Sequence, residues 1–427
     1  MAVELAKFVK VLDEKRLLTR ISRPVDPKYE ISTLMRMLDG RVLLFDQVKG
    51  FTTPIIANVC STRDLVAIGL GTSRDQLIGK LSDAIDHPKK TKVEDAKGYE
   101  DLGTDLSLLP ILTHYPKDGG PYISSGIVAC YDKEYGTNLS YHRAQLLEKD
   151  MLVLRILERH FDAYINRGLK EFAFCISSPI QVLVSAAISV NIGISEIEIA
   201  NALEETPLLN LNGHLVPPSD IVVIAELTGE LHEEGPFLDL TETFDIVRKQ
   251  RVARVKRIYM RRGAMYHALL PGGLEHKVLM GMPREPTIYR EVAKVCEVKD
   301  VLVTPGGCSW LHGVVSIHKK NPEDGRRAIE AAFKGHKSMK HVFIVDDDIN
   351  IHDPNEIEWA MATRFQADKN MVTKREKGSS LDPSSDMDTQ MTCKVGFDLT
   401  IPEGGKKEFK KPELPMELNL NNYLTRT

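Results

Sequence analysis

Phe172-Ala-Phe-Cys-Ile-Ser-Ser-Pro-Ile-Gln-Val-Leu-Val-Ser-Ala-Ala-Ile-Ser-Val-Asn-Ile-Gly-Ile-Ser195 carries no charged side chain. It is long enough to cross a bilayer as a helix. Its polar content argues against that. Ser177, Ser178, Pro179, Gln181, Ser185, Ser189, Asn191 and Gly193 interrupt it, and that density suits a strand and helix buried in a soluble core. The fold is therefore expected to be globular, with no membrane span. Around this run the chain is rich in strands. Ile123–Tyr131, Asn138–Gln145, Met151–Leu154, Phe172–Ile176 and Ile221–Leu227 all suit the extended state. Short strands with few long helices predict a barrel or a curled sheet.

Farther out the pattern changes at both ends. Residues 3–19 place Leu5, Phe8, Val9, Leu12 and Leu17 at helical spacings, and Arg41–Phe45 and Pro54–Asn58 read as strands. A charged stretch, His87–Asp101, marks a boundary before Leu106–Pro110. Beyond Thr287, strands at Val301–Thr304, Val314–Ile317 and His341–Val345 enclose a helix over Pro322–Lys334. That is a second α/β unit. Lys369–Met391 is polar and reads as a loop, and the charged tail from Glu403 as surface chain. The fold class is α/β (α+β), in units 1–105, 106–286 and 287–427.

Composition narrows the function. The 427 residues are 42% hydrophobic and 27% charged, with a net charge of -4, as in a soluble globular chain without a nucleic-acid partner. The basic stretch Arg248–Arg262 reads as a solvated face. Cys60, Cys130, Cys175, Cys296, Cys308 and Cys393 form no CxxC pair, and scattered thiols suit a reducing cytoplasm. The charged N-terminus lacks the apolar core of a signal peptide.

Glu233-Glu-Gly-Pro-Phe-Leu-Asp239 is the leading chemical segment. A Gly-Pro turn can aim Glu234 and Asp239 at one small volume while Phe237 keeps part of it dry. Two carboxylates held close and away from water titrate apart, one ionised and one protonated. Asn138-Leu-Ser-Tyr-His-Arg143 is the second. A bend there would bring Asn138 and Arg143 to one site, where the guanidinium could grip a substrate carboxylate. Asn138, His160 and Glu196 offer an amide, an imidazole and a carboxylate, donors that suit Mn2+ or Mg2+. Their spacing forms no local metal motif, and His160 near a helix end could instead complement the dipole. Asp346-Asp-Asp348 after a strand suits either a metal-dependent glycosyltransferase site or, the favoured reading, a solvated loop with capping acids before Pro354. Thr304-Pro-Gly-Gly-Cys308 lacks the P-loop spacing and lysine.

Together these segments resemble the UbiD family of decarboxylases, which use prenylated FMN. The resemblance runs from about Leu106 to Phe397. Asn138 and Arg143 match its Asn-x4-Arg segment, His160 its following histidine, and Ser195–Leu203 the segment carrying its glutamate ligand, here Glu196. Glu234-Gly-Pro-Phe-x-Asp239 matches its acidic signature. Val314–Lys319, Trp359–Arg364 and Lys394-Val-Gly-Phe-Asp398 match three later landmarks. Leu238 replaces the usual glycine of the signature and Asp239 stands where many relatives carry glutamate. Leu238, with Gly272-Gly-Leu-Glu-His-Lys277, resembles the branch of short, archaeal-type enzymes acting on trans-anhydromevalonate 5-phosphate.

The resemblance implies a central split β-barrel of flavin-reductase type between two α/β domains, in a homo-oligomer built from dimers through its C-terminal part. It implies prenylated FMN with Mn2+, and K+ beside it, held by Asn138, Leu139, Ser140, Arg143, His160, Glu196 and Lys394, with Asn138, His160 and Glu196 on the metal and Lys394 at the flavin phosphate. Arg143, Glu234 and Asp239 would be catalytic. The substrate would be a phosphorylated enoic acid, giving isopentenyl phosphate in a modified mevalonate pathway, with a flavin prenyltransferase supplying the cofactor. Arg261, Arg262, Lys277 and Arg284 are candidates for the substrate phosphate. The alternatives are an aromatic acid such as a polyprenyl hydroxybenzoate, and the glycosyltransferase reading on Asp346–Asp348.

Overall fold

The uncharged run does form a strand, Glu171–Ile176, and a short helix, Ile180–Ser185, in the computed structural model of the chain. The structure describes residues 4–386 and 388–404, and Phe409, Met416 and Tyr423. Most of the charged tail read from Glu403 lies outside the described residues. The reason for the missing charge is plain from the packing. Ala173 and Cys175 enter one apolar core while Phe172, Phe174 and Ile176 enter another on the opposite face. A strand buried on both faces has no side that tolerates a charge. Its neighbour repeats the division, with Val222 and Ile224 on one side and Ile221, Val223 and Ala225 on the other.

That strand belongs to a nine-stranded sheet. The ladder runs Tyr122–Ile123, Ala144–Glu148, Met151–Leu154, Arg248–Arg261, Ile221–Glu234, Glu171–Ile176, Ile127–Asp132, Gly136–Tyr141, with Tyr99–Asp101 beside Arg248–Arg261. All neighbours are antiparallel. Among the described residues the two end strands share no ladder, so closure of the expected barrel is not seen in the hydrogen bonding. The basic stretch is the long strand Arg248–Arg261, much of whose charge meets partners such as Asp162 and Asp150.

The N-terminal helix Glu4–Glu14 and strands Leu18–Ile21, Val42–Phe45 and Ile55–Ala57 lead into this sheet. Tyr266–Ala268, far along the chain, completes the N-terminal sheet by pairing in parallel with Ile55–Ala57. The C-terminal sheet has the order Glu297–Val303, His312–His318, His341–Asp346, Met391–Asp398, Met371–Lys377. Asp324–Gly335 is the helix crossing between two of its parallel strands. The last strand corrects part of the loop reading of Lys369–Met391, whose described residues between 378 and 390 do form a loop. Met371–Lys377 pairs along its whole length with Met391–Asp398 but lies at a sheet edge. Edge strands carry charge to discourage further pairing, so this one has the polarity of a loop. Among the described residues no helix is long and apolar enough to cross a membrane.

Candidate active site

The predicted strand Asn138–Gln145 breaks at His142 and Arg143, between Gly136–Tyr141 and Ala144–Glu148. The His142 ring is clamped at the break, Nδ1 3.0 Å from the Arg155 carbonyl oxygen and Nε2 3.1 Å from Ser140 Oγ. Burial pushes its pKa down to about 4, so it stays neutral. Arg143 is thereby turned toward the end of the strand Ile221–Glu234, whose last carboxylate is fully buried. After the Gly235-Pro236 turn, Phe237–Leu238 pairs with Phe244–Asp245, and this small hairpin returns Asp239 and Asp245 to the same place.

Arg143 sits at the centre of the three acids. Its Nε donates to Glu234 Oε1 at 2.8 Å and Nη2 to Glu234 Oε2 at 3.0 Å. Nη1 donates to Asp239 Oδ2, and Nη2 also to Asp245 Oδ2, both at 3.0 Å. The guanidinium lies over the Phe237 ring, 4.7 Å from its centroid, so the aromatic shields this group from water as expected. Burial opposes the Arg143 charge, but Glu234, Asp239 and Asp245 outweigh it and hold the proton on. Burial likewise raises Asp245, but Arg248 and Arg143 bring it below the usual carboxylate range. Behind Glu234, the Tyr122 hydroxyl lies 3.2 Å from Oε1, and burial and the neighbouring carboxylate keep that phenol protonated.

The expected amide, imidazole and carboxylate also converge. Glu196 opens the helix Glu196–Leu203 and reaches the strand, where Oε2 accepts from Leu139 N–H at 2.9 Å. Asn138 Nδ2 lies 3.1 Å from Glu196 Oε1 and 3.5 Å from His160 Nδ1. Ser140 Oγ donates to Asn138 Oδ1 at 3.3 Å. His160 is the first residue of the helix His160–Asn166. That is the positive end of the dipole, so a dipole role does not account for an imidazole there. Burial, aided by Arg159, lowers its pKa and leaves the ring neutral, the form that ligates metals. Burial pushes Glu196 up to about 8 in the absence of a cation. Among the described residues no group of three or more His, Cys, Asp or Glu could hold a metal. The set here is mixed. Rotating the Asn138 amide by half a turn presents its oxygen, and an amide oxygen, a neutral imidazole and a carboxylate are donors that fit a hard divalent ion.

Both groups open on one cavity of about 740 Å³, lined among others by Asn138, Arg143, His160, Glu196, Asp239 and Asp245. Leu139 and Ser140 line it too, and Glu234 stands behind Arg143. Lys394 does not reach it. Its buried ammonium is 2.9 Å from Glu376 Oε1 and also meets the Lys337 carbonyl oxygen, inside the C-terminal domain. Leu238 is likewise off the wall. It packs on Gly272, where an added Cβ would lie 2.9 Å from Leu238 Cδ2 at a backbone φ of +68°. The two features that marked the branch of short enzymes are thus one packing contact. Asp346–Asp348 lie elsewhere. Arg364 Nη2 is 2.7 Å from Asp348 Oδ2, and His318 Nδ1 is 2.7 Å from Asp347 Oδ2. Asp353 caps the helix Pro354–Arg364, as the capping reading expected.

Sequence reading missed Asp245, Tyr122 and His276. Asp245 gives no local signal, because only the hairpin folds it back. Tyr122 is hidden in a two-residue strand. His276, on the cavity wall with Nδ1 accepting from Gly272 N–H at 3.1 Å, stood in a noticed motif and was not read as part of a site.

The chain is similar to known sequences and structures along most of its length. Family profiles of the 3-octaprenyl-4-hydroxybenzoate carboxy-lyase N-terminal, Rift-related and C-terminal domains match residues 9–85, 87–274 and 277–399. An anhydromevalonate phosphate decarboxylase from Methanocaldococcus jannaschii is 41% identical, over 91% of this chain and 96% of the relative. Another from Methanothermobacter thermautotrophicus is 36% identical, over 95% and 98%. The UbiD-class enzyme HmfF from Pelotomaculum thermopropionicum, solved in complex with FMN, superposes with a TM-score of 0.93 at 33% identity, covering 98% of this chain and 100% of that one. An evolved dimeric form of the same enzyme, in complex with prFMN, gives 0.90 at 31% identity, covering 99% and 100%. With the signature acids, the ligand-type donors and three consecutive domain matches in place, this chain belongs to the UbiD family.

Proposed function

We propose that the protein is a prenylated-FMN-dependent carboxy-lyase that converts trans-anhydromevalonate 5-phosphate to isopentenyl phosphate and CO2. The observation that carries this reading is the shared cavity, with metal-type donors on one part of its wall and an arginine among three acids on another. The names of the relatives supply the substrate. When bound, the modified flavin supplies the electron sink for carbon dioxide loss. Asn138, His160 and Glu196 would hold Mn2+ against the flavin phosphate, with K+ beside it. Glu234, fully buried, keeps Arg143 in place. Asp239 is about one-fifth open, at 21%, so it is the acid that reaches substrate. A proton on Asp239 weakens its bond to Arg143 Nη1, which then becomes available to the substrate carboxylate. The same proton is delivered to the carbon that lost CO2. The reading includes a flavin prenyltransferase as cofactor supplier, a homo-oligomer and a cytoplasmic setting. Six free cysteines support the last of these.

The test is product analysis of protein made together with a flavin prenyltransferase. Isopentenyl phosphate from the phosphorylated enoic acid is the expected result. Carbon dioxide from an aromatic acid, with none from the enoate, would transfer the assignment to the aromatic class. The glycosyltransferase reading has no support, since Asp346–Asp348 are engaged by Arg364 and His318.

Two further outcomes are expected at the donor trio. Glu196→Ala should lose bound metal and flavin together, read by metal analysis and absorbance, and a fully loaded variant would contradict the assignment. Mn2+ binding to the flavin-free protein must displace the Glu196 proton, held up to about 8. Affinity should therefore fall about tenfold per pH unit below that value, and titration calorimetry in buffers of different ionisation heat should show proton release.

A further inference from the structure

Arg284 is a cation packed into the cavity wall with no acid paired to it among the described residues. It ends the turn Met282–Arg284. Nη2 donates to Ser189 Oγ at 2.6 Å, while Nε is buried with no partner among the described residues. The guanidinium lies over Trp310, 5.1 Å from the ring centroid, and Trp310 is fixed by Nε1 donating to Ser379 Oγ at 2.9 Å. Arg159 lines the same cavity and makes no ion pair among the described residues. Burial first, and the like charge of Arg159 second, push the Arg284 pKa down to about 10.

The other arginines of the wall differ. Arg143 has three acids, Arg248 has Asp245, and Arg155 has Asp245 at 3.8 Å. A desolvated cation beside a second cation is unfavourable until an anion joins them. A guanidinium whose one side-chain hydrogen bond among the described residues goes to a neutral hydroxyl, a second guanidinium and that hydroxyl together match the oxygens of a phosphate. We propose that Arg284, Arg159 and Ser189 form a phosphate-monoester subsite. The other basic candidates are engaged elsewhere. Lys277 meets Glu242, Arg262 pairs at the surface with Glu100 at 3.1 Å, Arg261 packs over Tyr99, and Lys394 meets Glu376.

Two phosphate monoesters belong to the proposed reaction, one on the flavin and one on the acid, and this choice of ligands rests on that reading. Arg159 directly precedes His160, so the subsite adjoins the donor trio and the flavin phosphate is the expected occupant. The experiment compares FMN with riboflavin in flavin-free protein by fluorescence quenching, with no turnover needed. The wild type should prefer FMN, and Arg284→Met should reduce that preference at least tenfold, with Arg284→Lys intermediate. If the preference is unchanged but kcat/KM for the phosphorylated acid over its dephosphorylated form falls instead, the subsite holds the substrate phosphate. Both ratios unchanged in Arg284→Met and Arg159→Gln, in protein that melts like the wild type, would overturn the proposal. Failure of the wild type to decarboxylate the phosphorylated acid would count against the functional reading and leave the FMN arm intact.

Discussion

Arg143→Met is expected to destabilise the flavin-free protein by about 3–5 kcal/mol, the usual cost of removing one partner from a buried ionic group. The arginine side chain is 10% exposed and Glu234 not at all. Methionine keeps the stem and its packing on Phe237 but leaves three carboxylates facing one another. Among the described residues Glu234 would retain the Tyr122 hydroxyl as its one side-chain partner. The variant should also lose turnover, because Arg143 is the donor that holds both Glu234 and Asp239 in position. The pH dependence carries a definite sign. Asp245 is held below its usual value in the folded protein. Its stabilising share is therefore present above the unfolded pKa of about 3.9 and is lost as pH falls through the lower folded value. Without Arg143 that share is much reduced, and the crowded carboxylates take up protons. The gap between wild type and variant should be widest at neutral pH and close as acid is added. Urea unfolding at about pH 7 and about pH 3 measures it. A gap that widened in acid would mean that the acids are not compensated by Arg143.

What the sequence revealed depended on how local each signal was. The absence of charge from Phe172 to Ser195 marked a strand buried on both faces, because burial acts on every residue in turn. The edge strand Met371–Lys377 was misread because its composition answers to solvent rather than to its partner. The site divides in the same way. Glu234, Asp239, Asn138 and Arg143 lie in short segments whose turn and bend chemistry is visible. Arg143 was read as a hand for the substrate carboxylate, yet here its nitrogens are taken by protein acids. Only the hairpin Phe237–Asp245 reveals the third of these, Asp245. Lys394 was placed on the cavity by resemblance, but a lysine inside a strand must satisfy its ammonium locally, and Glu376 on the paired strand does so. Arg284 could be named but not ranked, since the absence of an acid around it is a property of the packing.

Asp239→Asn should leave metal and flavin content near wild type and reduce product formation by about 10²–10⁴-fold, the range for loss of a general acid. The two effects separate because Asp239 touches Arg143 and its own hairpin, not the donor trio. Its Oδ1 accepts from Leu240 N–H at 2.6 Å and its Oδ2 from Arg143 Nη1 at 3.0 Å. An amide has one oxygen for these two donors, so one hydrogen bond is lost, at about 1–3 kcal/mol. That is too little to remove the cofactor from a site it does not touch. Asp239→Glu restores a carboxyl group on a longer arm and should recover measurable turnover, which a purely structural role for Asp239 would not require. Single-turnover assays in D2O complete the test, since the proton added at the decarboxylated carbon must exchange with solvent through its donor. Wild-type rates in Asp239→Asn would exclude Asp239 as that donor. His276 would be the next to examine, because it lines the same cavity and Asp239 is the charged neighbour acting most strongly on its ring. The double variant Asp239→Asn with His276→Leu would then decide whether the proton comes from the imidazole or from water.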